Sequence, residues 1–335
     1  MTFFATRYDF RAPGATPTGR AELFKRAVEQ VSYLDTHDQD AVMLSEHHGS
    51  PDGYLPNPLI VASAFAGCTS RIPLTISAVV VNLHDPLRLA EDIALLDHLS
   101  GGRASYTLGL GYLRGEYDQL GKPWATRGDD IERAIGVLRQ AWTGEEFEYN
   151  GRRVRVTPTP LSQPHPFLFY GGGSRAAARR AARLDLGFQP QVADPGLREV
   201  YEDECRRHGR QPGFVMTPPP GPSTVFCAED PDKFWHAYGQ FLLADARAYD
   251  AWHGDHASHV RDSSTTVDEL RSGTGYVVCT PDELIERCRT KEFRLVTSHP
   301  LCGGMPEQPS WESVQLIGEH VIPALRTHPV GQFGG

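Results

Sequence analysis

The 335-residue chain has no run of about 18 or more apolar residues, which argues against a membrane-spanning helix. Its first ten residues lack the basic region and apolar run of a signal peptide. It has no CxxC pair: the six cysteines stand apart at 68, 205, 227, 279, 288 and 302. That pattern speaks against zinc ribbons and redox dithiols and suits a reducing cytoplasm. There is no long basic run, and the net charge of −9 repels phosphate backbones, so nucleic acid is not an expected partner. Arg179, Arg180 and Arg183 fall in an Ala-rich stretch and read as the solvated face of one helix. No Pro- or Gly-rich linker or short repeat divides the chain, so 1–335 reads as a single domain. A glycine-rich nicotinamide fingerprint is also missing. Gly109-Leu-Gly111-Tyr-Leu-Arg-Gly115 has the wrong spacing, and no acid about 20 residues on completes a βαβ unit. The HxH pair of a metal-hydrolase barrel is absent too, since strand one ends in Tyr8-Asp9-Phe10.

What is present is an alternation. Strands are expected over 2–8, 41–45, 74–81, 105–110, 167–170, 186–189 and 293–298, with one more at 214–217 or 224–227. Helices are expected over 18–36, 58–68, 86–99, 126–142, 174–183, 195–208, 281–289 and 310–326. The run LTISAVVV from residue 74 is apolar almost throughout, as a strand buried on both faces should be. Gly101 and Gly102 stop the third helix, and Thr126 to Asp129 has capping-box form ahead of the fourth. Eight strand–helix units in succession indicate an α/β class (β/α)8 TIM barrel. Residues 146–157 form an appended hairpin around Asn150-Gly151, and 229–280 an insertion before the last units.

A barrel places its chemistry on the loops at the C-terminal ends of its strands. The second strand ends in Ser45-Glu46-His47-His48-Gly49. Two histidines beside a carboxylate can move protons near neutral pH; the alternative is a capped loop with solvated histidines. The fifth strand ends in Gly171-Gly172-Gly173-Ser174 as a helix begins. A helix N-terminus with glycines in front of it can bind a phosphate; the alternative is a plain turn with a serine cap. Arg127, opening the fourth helix, offers a matching charge. Gly109 and Gly111 read as room for a flat ligand. His253, His256 and His259 are three apart, but Gly254 and polar neighbours indicate a loop, and no metal is expected. His299 and Cys302 follow the last strand, with nothing local to mark them as a nucleophile pair.

Taken in order, these loops resemble the bacterial luciferase-like flavin-dependent monooxygenase family. The resemblance is carried by Met43-Leu-Ser-Glu-His-His48 with Asn57-Pro58, and by Asp85-Pro-Leu-Arg-Leu-Ala-Glu-Asp92 through Leu95-Leu-Asp97 to Leu99-Ser-Gly-Gly-Arg103. Gly109-Leu-Gly-Tyr-Leu-Arg-Gly-Glu-Tyr117, Gly121, Arg127, the 171–174 turn and Cys302-Gly-Gly-Met305 continue it over nearly the whole chain. It implies reduced FMN supplied by a separate flavin reductase, O2, and a small-molecule substrate. A deazaflavin coenzyme serving hydride transfer is the alternative. It further implies His47 at the reactive flavin edge. Glu46 is read as orienting that histidine, and His48 as the next candidate for its role. A non-prolyl cis peptide is expected at Ala78–Val79, and the flavin phosphate is expected on Arg127, Gly172, Gly173 and Ser174. Dimers through barrel helices are common in the family. Where bacterial luciferase carries a phosphate-binding arginine after its fourth strand, this chain has Leu110.

Overall fold

A computed structural model describes residues 2–253 and 258–326. Strands β1 (Phe3–Tyr8), β2 (Ala41–Leu44), β3 (Leu74–Val80) and β4 (Ala104–Gly109) pair in parallel and in chain order. The helices between them are α1 (Pro17–Asp35), α2 (Pro58–Cys68) and α3 (Pro86–Ser100). The short α4 (Arg114–Gln119), α5 (Arg127–Ala141) and the antiparallel hairpin β5 (Phe147–Tyr149) and β6 (Arg152–Val154) follow. Then come β7 (Phe167–Gly171), α6 (Arg175–Arg183), β8 (Gly187–Gln189) and α7 (Pro195–Arg207). The last part holds β9 (Thr224–Cys227), α8 (Pro231–His253), α9 (Val267–Ser272), β10 (Tyr276–Cys279), α10 (Pro281–Arg289) and β11 (Leu295–Ser298). Helical chain from α11 (Glu307–Leu316) to α12 (Ile322–Arg326), with a wider turn between, closes it. The sheet order β10-β9-β11-β1-β2-β3-β4-β7-β8 returns the last barrel strand to the side of the first, as a (β/α)8 barrel requires.

Local chemistry explains the elements. Asn57, Asp85, Ser174 and Thr280 cap α2, α3, α6 and α10 by accepting backbone N–H bonds, and Pro opens α2, α3 and α10. Gly101 takes φ +63° in the left-handed cap of α3. Asn150 and Gly151 both have positive φ, as a type I′ turn demands. Thr126 does not cap α5 through a capping box; its hydroxyl donates to Asp130, the shorter reach in the same turn.

The insertion expected over 229–280 is structured. It contains the 23-residue α8, the capped α9 and a ninth parallel strand, β10, paired with β9. Of the two candidates for the seventh strand, 224–227 is the strand, while Val215 makes a single parallel bridge to Phe188. Arg180 and Arg183 are not merely solvated. Both donate to Glu132 of α5, at 2.8 and 2.7 Å, and tie α6 to its neighbour.

The 85–103 run proves to be a stitch at the N-terminal end of the strands. Arg103 donates to the carbonyls of Ala66, Thr69, Ile72 and Ser100 and to the Thr69 hydroxyl, so one guanidinium holds the end of α2, the end of α3 and the start of β4. Asp97 accepts from the amide and hydroxyl of Ser162, tying the post-hairpin loop to α3. Carbonyls at helix ends have no partner within their own helix, and an arginine fork satisfies several at once.

Candidate active site

The β2 loop turns its acid and its first histidine inward. Glu46 is buried, and its Oε1 receives Nε2 of His48 and Nε2 of His84, each at 2.8 Å. Its Oε2 receives the Val80 amide at 2.9 Å. Burial alone would raise the Glu46 pKa, but the hydrogen bonds from His48 and His84, the His84 charge and the Val80 amide together hold it below the ordinary value. The same bond raises the His48 pKa against the opposing effect of burial. Glu46 therefore orients His48 and His84, not His47 as the sequence suggested.

His47 has a different carboxylate. Its Nδ1 lies 2.9 Å from Oε1 of Glu116, on α4, and the same oxygen accepts the His48 amide at 2.8 Å. Glu116 is 2% exposed, and its Oε2 has no hydrogen-bond partner among the described residues. With Nδ1 turned to a carboxylate, the proton belongs on Nδ1, leaving Nε2 as the acceptor. The Tyr112 hydroxyl stands 3.3 Å from that Nε2. The rings of Tyr54, Tyr112 and Trp252 surround the imidazole at centroid distances of 4.8, 5.4 and 4.4 Å. Glu116 escaped the sequence reading; its only signal was its place in the Gly109–Tyr117 motif.

The non-prolyl cis bond is present one residue earlier than expected, at Ser77–Ala78. The pairing of β3 with β4 shifts there, with Ser77 opposite Thr107 and Val79 opposite Leu108. Ala78 is thereby left half-buried at the bulge, while Val79 is fully buried in the core. Gly109 and Gly111 do not leave open space. A Cβ on Gly109 would come within 2.9 Å of the Ala78 Cβ, and one on Gly111, at φ +78°, within 2.7 Å of Val80 Cγ1. These glycines admit protein rather than ligand.

At the end of β7, Gly171 and Gly172 are equally filled from behind, since added Cβ atoms would meet Thr107 and Ala177 at 2.7 Å. Gly173 and Ser174 are exposed, and Ser174 caps α6 by accepting the Ala177 amide at 3.1 Å. Arg127 opens α5 on the same end of the barrel. Its Nη1 donates to the Trp124 carbonyl at 2.8 Å, its guanidinium lies 3.8 Å over the Trp124 ring, and its buried Nε has no partner among the described residues. The exposed turn at a helix N-terminus and the incompletely bonded guanidinium fit a phosphate group.

A second polar cluster gathers where β1, β10 and the end of β11 meet α8. Asp9 lies 3.1 Å from His299, whose Nδ1 is 3.0 Å from Arg7; Arg7 and Tyr276 both donate to Asp245. Asp245, His299 and Cys302 are buried with ligand atoms within 4.8 Å of one another, the metal-capable group among the described residues. Arg7 already supplies the positive charge there, and burial pushes the Cys302 thiol well above its ordinary pKa. The group suits neither a metal nor a thiolate nucleophile. Of the three spaced histidines, His253 ends α8, His259 donates its amide to Gln191, and His256 lies outside the described residues.

The luciferase-like monooxygenase profile matches residues 4–298. This chain belongs to that family. It is accordingly an enzyme, an oxidoreductase of the monooxygenase class. An FMNH2-dependent dimethylsulfone monooxygenase from Pseudomonas putida is 30% identical, with 79% of this chain and 77% of that protein covered. The oxygenating constituent of 3,6-diketocamphane monooxygenase from Pseudomonas putida, solved with FMN, superposes at TM-score 0.70 and 18% identity over 96% of this chain and 99% of that one. An F420-dependent secondary alcohol dehydrogenase superposes at 0.68 and 16% identity over 97% and 100%. These two likenesses establish the fold and not the cofactor.

Proposed function

We propose that the enzyme is the oxygenase half of a two-component system, taking reduced FMN from a separate flavin reductase and using O2 to oxidise a small organic substrate. The observation that carries the reading is His47, held by the buried Glu116 just past the C-terminal end of β2, the same end of the barrel as the 171–174 turn after β7. The FMNH2 dependence of the 30% identical relative supports the choice of cofactor. Gly172, Gly173, Ser174 and the α6 N-terminus would hold the phosphate, with Arg127 swinging off Trp124 to pair with it. Ala78 would lie beneath the ring system, and His47 would take or give a proton at Nε2. Bound reduced FMN would supply the electrons that activate oxygen. The aromatic surround of His47 excludes water from that step.

No helix among the described residues is long and apolar enough to cross a membrane, and all six cysteines are free, which supports a cytoplasmic location. Exposed Leu95 and Leu99, one turn apart on α3, and Ile60 on the adjoining α2 support a homodimer through these helices, readable by sedimentation.

The cofactor is tested by anaerobic titration with reduced FMN, FAD and deazaflavin. Reduced FMN should bind tightest; preference for the deazaflavin would favour hydride transfer instead. Mixed with NADPH and FMN in air, the chain alone should leave the nicotinamide absorbance unchanged, whereas rapid oxidation would mean a self-sufficient flavin reductase. Arg127→Ala should weaken reduced FMN by about 10- to 150-fold, the worth of a charge-assisted hydrogen bond, and leave reduced riboflavin unaffected. Equal loss for both flavins would remove Arg127 from the phosphate site.

A further inference from the structure

The side chain of Arg11, three residues beyond the end of β1, is 1% exposed, yet none of its three guanidinium nitrogens has a hydrogen-bond partner among the described residues. Its nearest carboxylates are Asp52 at 3.6 Å and Asp9 at 4.0 Å, close enough for charge compensation but outside bonding geometry. Its charge is covered by aromatic rings. The guanidinium carbon lies 4.0 Å from the Trp252 centroid, 4.3 Å from Tyr249 and 5.0 Å from Tyr54. Rings satisfy the charge of a guanidinium but not its five N–H donors, and a buried donor without an acceptor is costly. The backbone just before it, at Phe10, has φ +63°, a rare conformation for a bulky residue. Strain and unmet bonding potential at a strand's C-terminal mouth mark a place built for something other than stability.

Trp252 and Tyr54 also pack on His47, so one indole touches both Arg11 and the imidazole. We propose that Arg11 is the substrate's anchor: when Trp252 moves aside, the guanidinium donates to an acceptor oxygen of the substrate and sets its position beside His47. This rests on the monooxygenase reading of the same mouth.

The local charges choose the acceptor. Three carboxylates, Asp9, Asp52 and Asp245, share this cluster with two arginines, Arg7 and Arg11, and with His299, which lies between Asp9 and Asp245. The arginines do not outnumber these carboxylates, so a further buried anion would find no cation left for it, whereas a neutral oxygen meets the donors with no added charge. The substrate class is therefore a neutral oxo compound, a ketone, sulfone or amide, and not a carboxylate or sulfonate. The rings of Tyr54, Tyr112, Tyr249 and Trp252 favour an apolar body on that oxygen.

Acetophenone and benzoate, nearly isosteric and differing in charge, separate the alternatives. Anaerobic calorimetry on the reduced-FMN complex should show acetophenone binding at least tenfold tighter than benzoate. Arg11→Met should weaken acetophenone by about 10- to 100-fold, and Arg11→Lys, which keeps the charge balance but loses the planar fork, by a smaller factor. Reduced FMN should bind both variants as it binds the wild type. Unchanged acetophenone affinity in a folded Arg11→Lys or Arg11→Met protein, tighter binding of benzoate, or no heat from either ligand would overturn the anchor. A wild type that fails to bind reduced FMN would instead sink the cofactor reading, and the same titrations on the flavin-free chain would still judge Arg11.

Discussion

Replacing His47 with asparagine should lower turnover by roughly 10²- to 10⁴-fold while leaving the affinity for reduced FMN unchanged. Asparagine fills a similar volume and can still donate toward Glu116, so the loop should stay in place. What it lacks is a ring nitrogen that exchanges a proton near neutral pH. The measurement is a reductase-coupled assay with a ketone or sulfone that the wild type oxygenates, set beside anaerobic flavin titration. Full turnover in the variant would free His47 of any proton-transfer role. The surroundings would not move that role to His48, because its Nε2 is already bound to Glu46. If flavin binding fell with turnover, His47 would be part of the cofactor cradle instead.

Glu116→Gln should be nearly as damaging, by about 10²- to 10⁴-fold in kcat, with little change in KM or in flavin affinity. One carboxylate oxygen fixes both the His47 ring and the His48 amide, at 2.9 and 2.8 Å. The carboxamide is isosteric, but it offers one acceptor and one donor where the acid offers two acceptors. Half of its orientations would favour the imidazole tautomer with Nε2 protonated, and in catalytic triads the comparable exchange costs about 10⁴. Because Glu116 acts through His47, the split between kcat and KM is the deciding readout. Glu116→Asp, keeping the charge on a shorter arm, should recover part of the loss. A Glu116→Gln enzyme with normal kcat and a lowered melting temperature would make Glu116 a structural residue only.

The barrel was readable because its signals are local: N-caps at Asn57, Asp85 and Ser174, a glycine stop at Gly101 and apolar strands long enough to show a pattern. The misses have equally physical causes. β10 is four residues long beside a glycine, too short to outweigh the polar chain around it. α4 is six residues, less than two helical turns, and no periodicity can declare itself in that span. The cis bond at Ser77–Ala78 lies inside a mostly apolar run, and composition carries no mark of which peptide is cis. At the site, His47 and the glycine turn were legible because their neighbours in sequence define them. Their partners were not: Glu116 lies 69 positions from His47, and Arg11 meets Trp252 from the far end of the chain. Pairing across a barrel is decided by strand order and tilt, which no sequence window contains.

The guanidinium of Arg103, gathering the ends of α2, α3 and β4 at the floor of the barrel, has a consequence for how such enzymes diversify. The stretch that most clearly identifies the lineage is a splice in the framework, remote from the reacting atoms. Exchanges at Arg11, Tyr54, Tyr112 or Trp252 leave that splice intact and so can redirect the enzyme to a new compound without disturbing its assembly. Kinship in this lineage is written on one end of the molecule and appetite on the other.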